Sequence, residues 1–474
     1  MLCIDCLAQP HTWLPLRRRR FHALTRALRA GVGIASTVIL VSLVSPGSAS
    51  AQPIRVSDSA SLDTLIAEAM AVNPAVRAAR SRAEAVRARG SATGLRPDPM
   101  LMVGLRDFPL SNPGFYDNFT MKMVGVRQTI PYPGKLGVER RIASHDVDAS
   151  DAAIRGVTLD VLRDVRRAYY EIAFLDRALD VIMRNRDVLV DLLKVADARY
   201  GTGQANQQDV LRARVEAGRL GEQAVTLIEQ RRAALAGLNA TLDRSSDTPL
   251  PDANIPSRIS RAAVADSAAG VRFVSATLGA RAANSPLPPL AELQAMAIQT
   301  SPLLSEHEAS IAAQSARVTR AGKEHLPDLE LSFDYGQRRG FRDLVTATVS
   351  IPLRLQRRAK QDQLLVAARA DLAALESEHA ARRNATRAEV ARLASDLERQ
   401  RAQLALYKTA IIPQGRAALT AALASYQVGR AEMLTVLDNQ ATLFNYETEY
   451  FRVLTDFATT LAELERVVGK EILS

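Results

Sequence analysis

The sequence predicts a mainly α-helical chain with a β-barrel portion: duplicated long antiparallel coiled-coil helices plus two β-hairpins. Three observations predict it. The chain carries the same order of motifs twice. Each copy holds a helical pattern longer than any compact domain needs. Each copy also holds two strands with one apolar and one polar face.

The first element is a leader. Arg17 to Arg20, Arg26 and Arg29 precede an apolar run from Gly31 to Val44, and small residues follow to Ala49-Ser50-Ala51. This pattern predicts a secretory signal over 1–51, cut before Gln52. The run is too short for a confident membrane span. Both cysteines, Cys3 and Cys6, fall inside the leader. Lys+Arg 61 against Asp+Glu 51 gives the whole chain a charge of +10. Removing the leader, with six Arg and one Asp, leaves 423 residues at +5. A nucleic-acid partner thereby loses its main support.

The first copy is expected at 52–244. A helical pattern covers about 62–92, with Leu65 to Met70 leading to Asn73-Pro74. Strands are expected at about 99–110 and 119–131, around the turn Leu110-Ser111-Asn112-Pro113-Gly114. A helix then runs from about Pro133 to Tyr200, near 100 Å at 1.5 Å per residue. Its apolar positions step by three and four through Val161, Val165, Ala168, Ile172, Leu175, Leu179 and Ile182, break at Arg186, and resume at Leu189, Leu193 and Ala196. Such a 3.5-residue period specifies packed, supercoiled helices. A shorter helix follows at about 206–242, and with 62–92 it would flank the long helix end to end. Residues 245–289, rich in Pro, Ser, Ala and Asp, read as an irregular linker or equatorial insertion with one short helix.

The second copy, 290–474, repeats this order. Leu290 to Met296 leads to Ser301-Pro302. Strands are expected at about 328–336 and 342–352. Leu329, Leu331, Phe333 and Tyr335 alternate with Glu330, Ser332, Asp334 and Gly336, and Val345, Ala347, Val349 and Ile351 alternate with polar residues. The long helix carries Val390, Leu393, Leu397, Gln400, Leu404, Tyr407 and Ile411, with Pro413 expected to kink it. The copies are offset by 228 residues at Pro74/Pro302 and by 226 at Gly203/Gly429. A soluble hairpin pair is the plain alternative for the strands. Four amphipathic strands in lipid leave open edges, so the barrel reading demands an oligomer, and three chains give twelve strands.

Two stretches carry a resemblance. One runs from Ile411-Ile412-Pro413-Gln414 through Tyr426-Gln427-Val428-Gly429-Arg430 to Val436-Leu437-Asp438, with a first-copy counterpart from Arg199-Tyr200-Gly201-Thr202-Gly203 to Asp209-Val210-Leu211. The other is Gln128-Thr129-Ile130-Pro131-Tyr132-Pro133-Gly134-Lys135-Leu136. At these residues the chain resembles the TolC family of outer-membrane efflux proteins, and the second stretch resembles its heavy-metal efflux branch. The resemblance implies a homotrimer with a twelve-stranded barrel in the outer membrane and an α-helical tunnel in the periplasm. It implies a periplasmic adaptor, of the membrane-fusion type, and a proton-driven inner-membrane pump as partners. The two Tyr-x-x-Gly turns would lie at the periplasmic tip, with Tyr200, Gly203, Gln204, Tyr426, Val428, Gly429 and Arg430 as adaptor contacts. By the same resemblance Tyr426 bonds Asp209 to close the tip, and Asp438 joins a ring of acids there. Thr435 occupies a second position of that ring. A family arginine falls at Ala431, beside Arg430. Each of these can equally be a solvated turn or helix residue.

The resulting expectation is a passive conduit for heavy-metal cations or small toxic compounds, opened at its tip by the adaptor. A protein-secretion channel shares this design. The reading of another class is a periplasmic coiled-coil adaptor, which would carry one helical hairpin and compact β-domains. No cofactor, resident metal or catalytic constellation is expected, since no HExxH, Walker A loop or GxSxG motif occurs. Met100, Met102, Met121 and Met123 sit at alternate strand positions, where lipid-facing or packing roles are expected ahead of a copper-ligand role.

Overall fold

A computed structural model describes residues 62–110, 115, 119–264 and 287–473. All of them belong to the second of two units, Val56–Ser474. The expected leader, 1–51, lies outside the described residues. The first copy comprises α1 (Leu62–Val72), α2 (Pro74–Ala92), β1 (Met100–Arg106), β2 (Met121–Ile130), α3 (Lys135–Gly201) and α4 (Gln207–Thr241). A short helix, α5 (Ser257–Val264), follows. The second copy comprises α6 (Leu290–Thr300), α7 (Pro302–Lys323), β3 (Leu329–Arg338), β4 (Leu344–Ser350), α8 (Gln361–Leu406), α9 (Ile412–Gln427) and α10 (Met433–Val468).

The single helix expected over 62–92 is two helices. Pro74 has no N–H and drives the preceding residue out of the helical region. Asn73 accordingly sits at φ −58, ψ 126, and its side-chain oxygen accepts from the N–H groups of Ala75 and Val76, at 2.8 and 3.3 Å. Its Nδ2 donates to the Thr241 carbonyl at 2.8 Å, tying the junction to the end of α4. Ser301-Pro302 makes the same break between α6 and α7.

The 67-residue α3 is the spine. Its length is about 100 Å. The two-plus-one stack is realised, since α1, α2 and α4 all pack along it, together with α7 and α10. Val161, Val165, Ile172, Leu175, Ile182, Leu189 and Ala196 of the expected seam are buried. At the break Arg186 is exposed and Asn185 turns inward instead, its carbonyl accepting from Gln440 Nε2 of α10 at 3.0 Å. Deeper charges are paired: Arg166 on α3 meets Glu465 at 2.5 Å and also binds Glu471, which pins the C-terminal segment to the spine.

The second copy has no unbroken counterpart of α3. A π-helical turn, Tyr407–Ile411, separates α8 from α9. Pro413 cannot donate to the carbonyl four residues back, and the wider turn absorbs the interruption. The insertion after α4 packs into the core, where Leu250, Ala253, Ile259 and Ala263 are buried. The Ala253 N–H donates to Asp176 at 3.0 Å, and Arg231 pairs with the same carboxylate at 2.5 Å.

The strands form one antiparallel sheet in the order β1-β2-β3-β4. Pairing Met102↔Gly125, Gly125↔Asp334 and Asp334↔Thr346 fixes the register, and so fixes the faces. One face presents Leu101, Val103, Leu105, Val124, Val126, Phe333, Tyr335, Val345 and Val349, all exposed. The other presents Arg127 and Glu330, paired at 2.8 Å, with Thr129, Ser332, Asp334, Thr346, Thr348 and Ser350. The four methionines also lie on this polar face, across the sheet from the apolar one. Met121, buried with its sulfur against Gly336, takes the packing role that was the other expectation for them; the lipid-facing expectation is corrected. It failed because hairpin register, not alternation alone, decides which residues share a face. At the junction of sheet and helix, Lys135 is 1% exposed and donates to Asp328 at 2.8 Å, and the Tyr132 N–H donates to the same carboxylate at 2.7 Å. That is what the Tyr132-Pro133-Gly134-Lys135 stretch builds.

Candidate functional site

The candidate site forms where the two long helices end. Gly203 follows α3 at φ +73 and Gly429 follows α9 at φ +72. The left-handed region costs an L side chain about 1–2 kcal/mol, so glycine ends a helix there readily. Both turns close with the same pair of bonds. Gly203 N–H donates to the Tyr200 carbonyl at 2.9 Å and Gln204 N–H to Arg199 at 2.8 Å. Gly429 N–H donates to Tyr426 at 3.0 Å and Arg430 N–H to Ser425 at 2.8 Å. This is the two-bond helix stop in which N–H groups turn back on the last free carbonyls. It satisfies the backbone and leaves the turn surface to solvent.

The side chains of the two turns differ in exposure. Tyr200 is 48% and Val428 68% exposed. Gly203, Gln204, Gly429 and Arg430 are exposed beside them. Tyr426 is the repeat counterpart of Tyr200, yet it is only 2% exposed. Asp209, in the first turn of α4, is half-buried, while Thr435 and Asp438 on α10 are exposed. The sequence thus places contact candidates outside and one aromatic inside.

The inward tyrosine is held by a residue the sequence reading passed over. The Arg199 guanidinium lies 4.6 Å from the centre of the Tyr426 ring. Its Nη1 donates to the Tyr426 carbonyl and its Nη2 to the Gln204 carbonyl at 3.1 Å. One side chain therefore clamps both turns. A cation over an aromatic face contributes about 0.5–2 kcal/mol. The signal was present: Arg199 sits just before the Tyr of copy one, where copy two has Ser425.

The Tyr426–Asp209 bond implied by the resemblance is not made. The Tyr426 hydroxyl is buried without a hydrogen-bond partner among the described residues. Burial pushes its pKa above the usual value, the Asp209 carboxylate adds to the rise, and the Arg199 guanidinium opposes it. A cavity of 270 Å³ between α3 and α9, lined by Val188, Leu192, Val195 and Leu423, adjoins the Tyr426 ring. No described group of three or more His, Cys, Asp or Glu can hold a metal ion. No helix among the described residues is long and apolar enough to cross a membrane.

Comparison with known proteins agrees with this geometry. The family model for outer membrane efflux proteins matches twice, over residues 65–243 and 293–470. The cobalt-zinc-cadmium resistance protein CzcC of Cupriavidus metallidurans is 23% identical over 345 residues, which cover 71% of this chain and 74% of that protein. Among solved structures, the outer-membrane channel OprN superposes with a TM-score of 0.70 at 16% identity, covering 88% of this chain and 92% of its own. CusC, solved for its transmembrane channel formation, superposes with a TM-score of 0.69 at 16% identity, covering 86% and 92%. With a family match over both repeats and the fold of outer-membrane channels, this chain belongs to the outer membrane efflux protein family and is an outer-membrane efflux channel.

Proposed function

We propose that this protein is the passive outer-membrane conduit of a tripartite efflux system, exporting heavy-metal cations and opened at its periplasmic tip by an adaptor. The observation that carries the reading is the four-stranded sheet. Its apolar face is exposed, its polar face is opposite, and among the described residues its outer strands β1 and β4 have no further partner. Lipid does not tolerate open edges. Because β1 and β4 run in opposite directions, copies can be joined antiparallel edge to edge. Two copies would give eight strands, an interior that side chains fill; three give twelve and leave room for water. A homotrimer follows from this, with residues 1–51 directing export and being removed.

The tip residues take their roles within that assembly. Tyr200, Gly203, Gln204, Val428, Gly429 and Arg430 form the exposed turns that meet the adaptor. Arg199 and Tyr426 hold the turns together in the closed tip. Asp209, Thr435 and Asp438 sit at the narrowing, where carboxylates attract cations. The pump that drives transport is proton-powered and lies in the inner membrane. The cargo reading is supported by the name of the CzcC relative, which links that protein to cobalt, zinc and cadmium resistance.

The test is deletion of the gene with measurement of cellular zinc and cobalt. Raised metal content, restored by the full chain carrying its leader, is expected. Unchanged metal content under zinc and cobalt challenge would contradict a zinc or cobalt cargo. Recovery of the protein as a soluble monomer would contradict the conduit.

A further inference from the structure

The polar face of the sheet contains a feature that neither lipid packing nor a water-filled pore requires. Four of the chain's nine methionines lie between Met100 and Met123, and the register puts all four on that face. Beyond Cys6 the chain has no cysteine, so thioethers are the soft donors left to it. In the second copy the same face carries Ser332, Asp334, Thr346, Thr348 and Ser350. Leucine, valine and phenylalanine already make the lipid side. Thioethers on the side facing water therefore have no role in anchoring the barrel.

Their placement is continuous. Met100 and Met102 are alternate residues of β1, and Met121 and Met123 are alternate residues of β2. Met102 pairs with Gly125 and Met123 with Gly104, so Met102 and Met123 are diagonal neighbours. Diagonal neighbours stand about 7–8 Å apart at Cα, and alternate residues of a strand about 7 Å. The four thus run as one line, Met100–Met102–Met123–Met121. Glycine opens the space beside it. Met121 Sδ lies across Gly336, where a Cβ would come within 2.7 Å of the sulfur. Gly104 and Gly336 flank Met123 on either side. Met121 is buried with its sulfur filling the space over Gly336, whereas the space over Gly104 beside Met123 is open, and flexible thioethers can reorient toward one ion there.

The donor chemistry selects the ligand. Neutral thioethers suit soft cations such as Cu(I) and Ag(I), while Zn²⁺ and Co²⁺ favour imidazole, carboxylate or thiolate. Asp334, opposite Gly125 and so beside Met102 and Met123, sets one carboxylate at the middle of the line, and the two ends carry arginines. Arg127 is level with Met100, and Arg106 and Arg338 are level with Met121. Guanidinium groups repel a divalent cation more strongly than a monovalent one.

We propose that Met100, Met102, Met121 and Met123 form a transit site for Cu(I) or Ag(I) on the inner wall of the barrel. The proposal rests on the conduit reading, because it takes the polar face as the pore side. Ions bind and leave without change of oxidation state, passing from one thioether to the next.

The test uses the purified full chain in detergent. Ag(I) binding is followed by titration calorimetry, and Cu(I) binding by competition with a chromophoric chelator under anaerobic, reducing conditions. Leucine replaces methionine at nearly equal volume, so the fourfold M100L/M102L/M121L/M123L chain keeps its packing. Loss of affinity of about tenfold or more is expected in it, and a smaller loss in Met102→Leu alone. Met183→Leu, on α3, is expected to bind as the parent does. X-ray absorption of the Cu(I)-loaded parent should show sulfur scatterers around copper, a readout that needs no variant. Absence of sulfur scattering, or equal affinity in the fourfold variant, overturns the proposal. Planar-bilayer conductance separates the two readings. A parent that conducts but binds neither ion sinks the transit site alone, whereas a parent that does not conduct sinks the conduit reading as well.

Discussion

At the residue scale the account turns on Arg199. It holds the Tyr426 ring, the Tyr426 carbonyl and the Gln204 carbonyl at once. Arg199→Ala should weaken the coupling of the two turns by about 1–3 kcal/mol, since a stacked cation and charged hydrogen bonds are lost together. Single-channel recording in planar bilayers should show a higher conductance or open probability. Tyr426→Phe should change little, because the hydroxyl it removes bonds nothing in this state. An Arg199→Ala channel that behaves as the parent would remove the clamp from the account. A second residue-scale feature lies higher in the helices. His307 on α7 and His379 on α8 stack at 5.9 Å, with Glu378 and Glu308 each 3.8 Å from one Nε2. Burial pushes the His307 pKa below the ordinary 6.5, Arg382 and His379 push it further, and Glu378 and Glu306 oppose them. The unfolded chain therefore takes up its proton first. The stabilising contribution is complete above about pH 6.5 and is lost as pH falls toward the depressed folded value. Melting followed by circular dichroism should show stability dropping below about pH 6.5, and His307→Gln should flatten that drop.

At the scale of elements, local chemistry sets boundaries that periodicity cannot. The apolar pattern of 62–92 runs straight through Asn73, so the sequence reads as one helix. Pro74 and the Asn73 cap divide it into α1 and α2. Asn73→Ala should cost about 1–2 kcal/mol, the usual worth of a helix cap, and the lost bond to the Thr241 carbonyl adds to it. Thermal melting of the purified protein checks this, and an unchanged midpoint would show the cap to be dispensable. The strands show the same limit. The second hairpin was legible because its two faces differ in polarity. In the first hairpin methionines replace polar residues, and only the pairing with β3 reveals which face they share. The long helices were legible from their 3.5-residue seam. The inward turn of Asn185 at Arg186 was not, because both positions are polar and only packing against α10 separates them. Glycine spacing marked both turns and Arg199 stood beside the first of them, but its hold on the second showed only when two segments 226 residues apart were brought together.

At the scale of the whole molecule, one chain is an incomplete object. Its helices bury one core that includes Leu65 near the start and Val468 near the end, and a second around Leu189, Tyr426 and Val436. Its sheet instead exposes an apolar face and stops at two strand edges. On the trimer proposed above, three copies would close a twelve-stranded barrel in lipid and so cover both features. The duplication also places the two turns of each chain together, joined by Arg199. The most direct measurement is single-channel conductance of the purified full chain in planar bilayers, compared with its Arg199→Ala variant. The account predicts a heat-modifiable trimer that inserts and conducts weakly, with the variant conducting more. A chain that remains a soluble monomer and forms no channel in either version would contradict it.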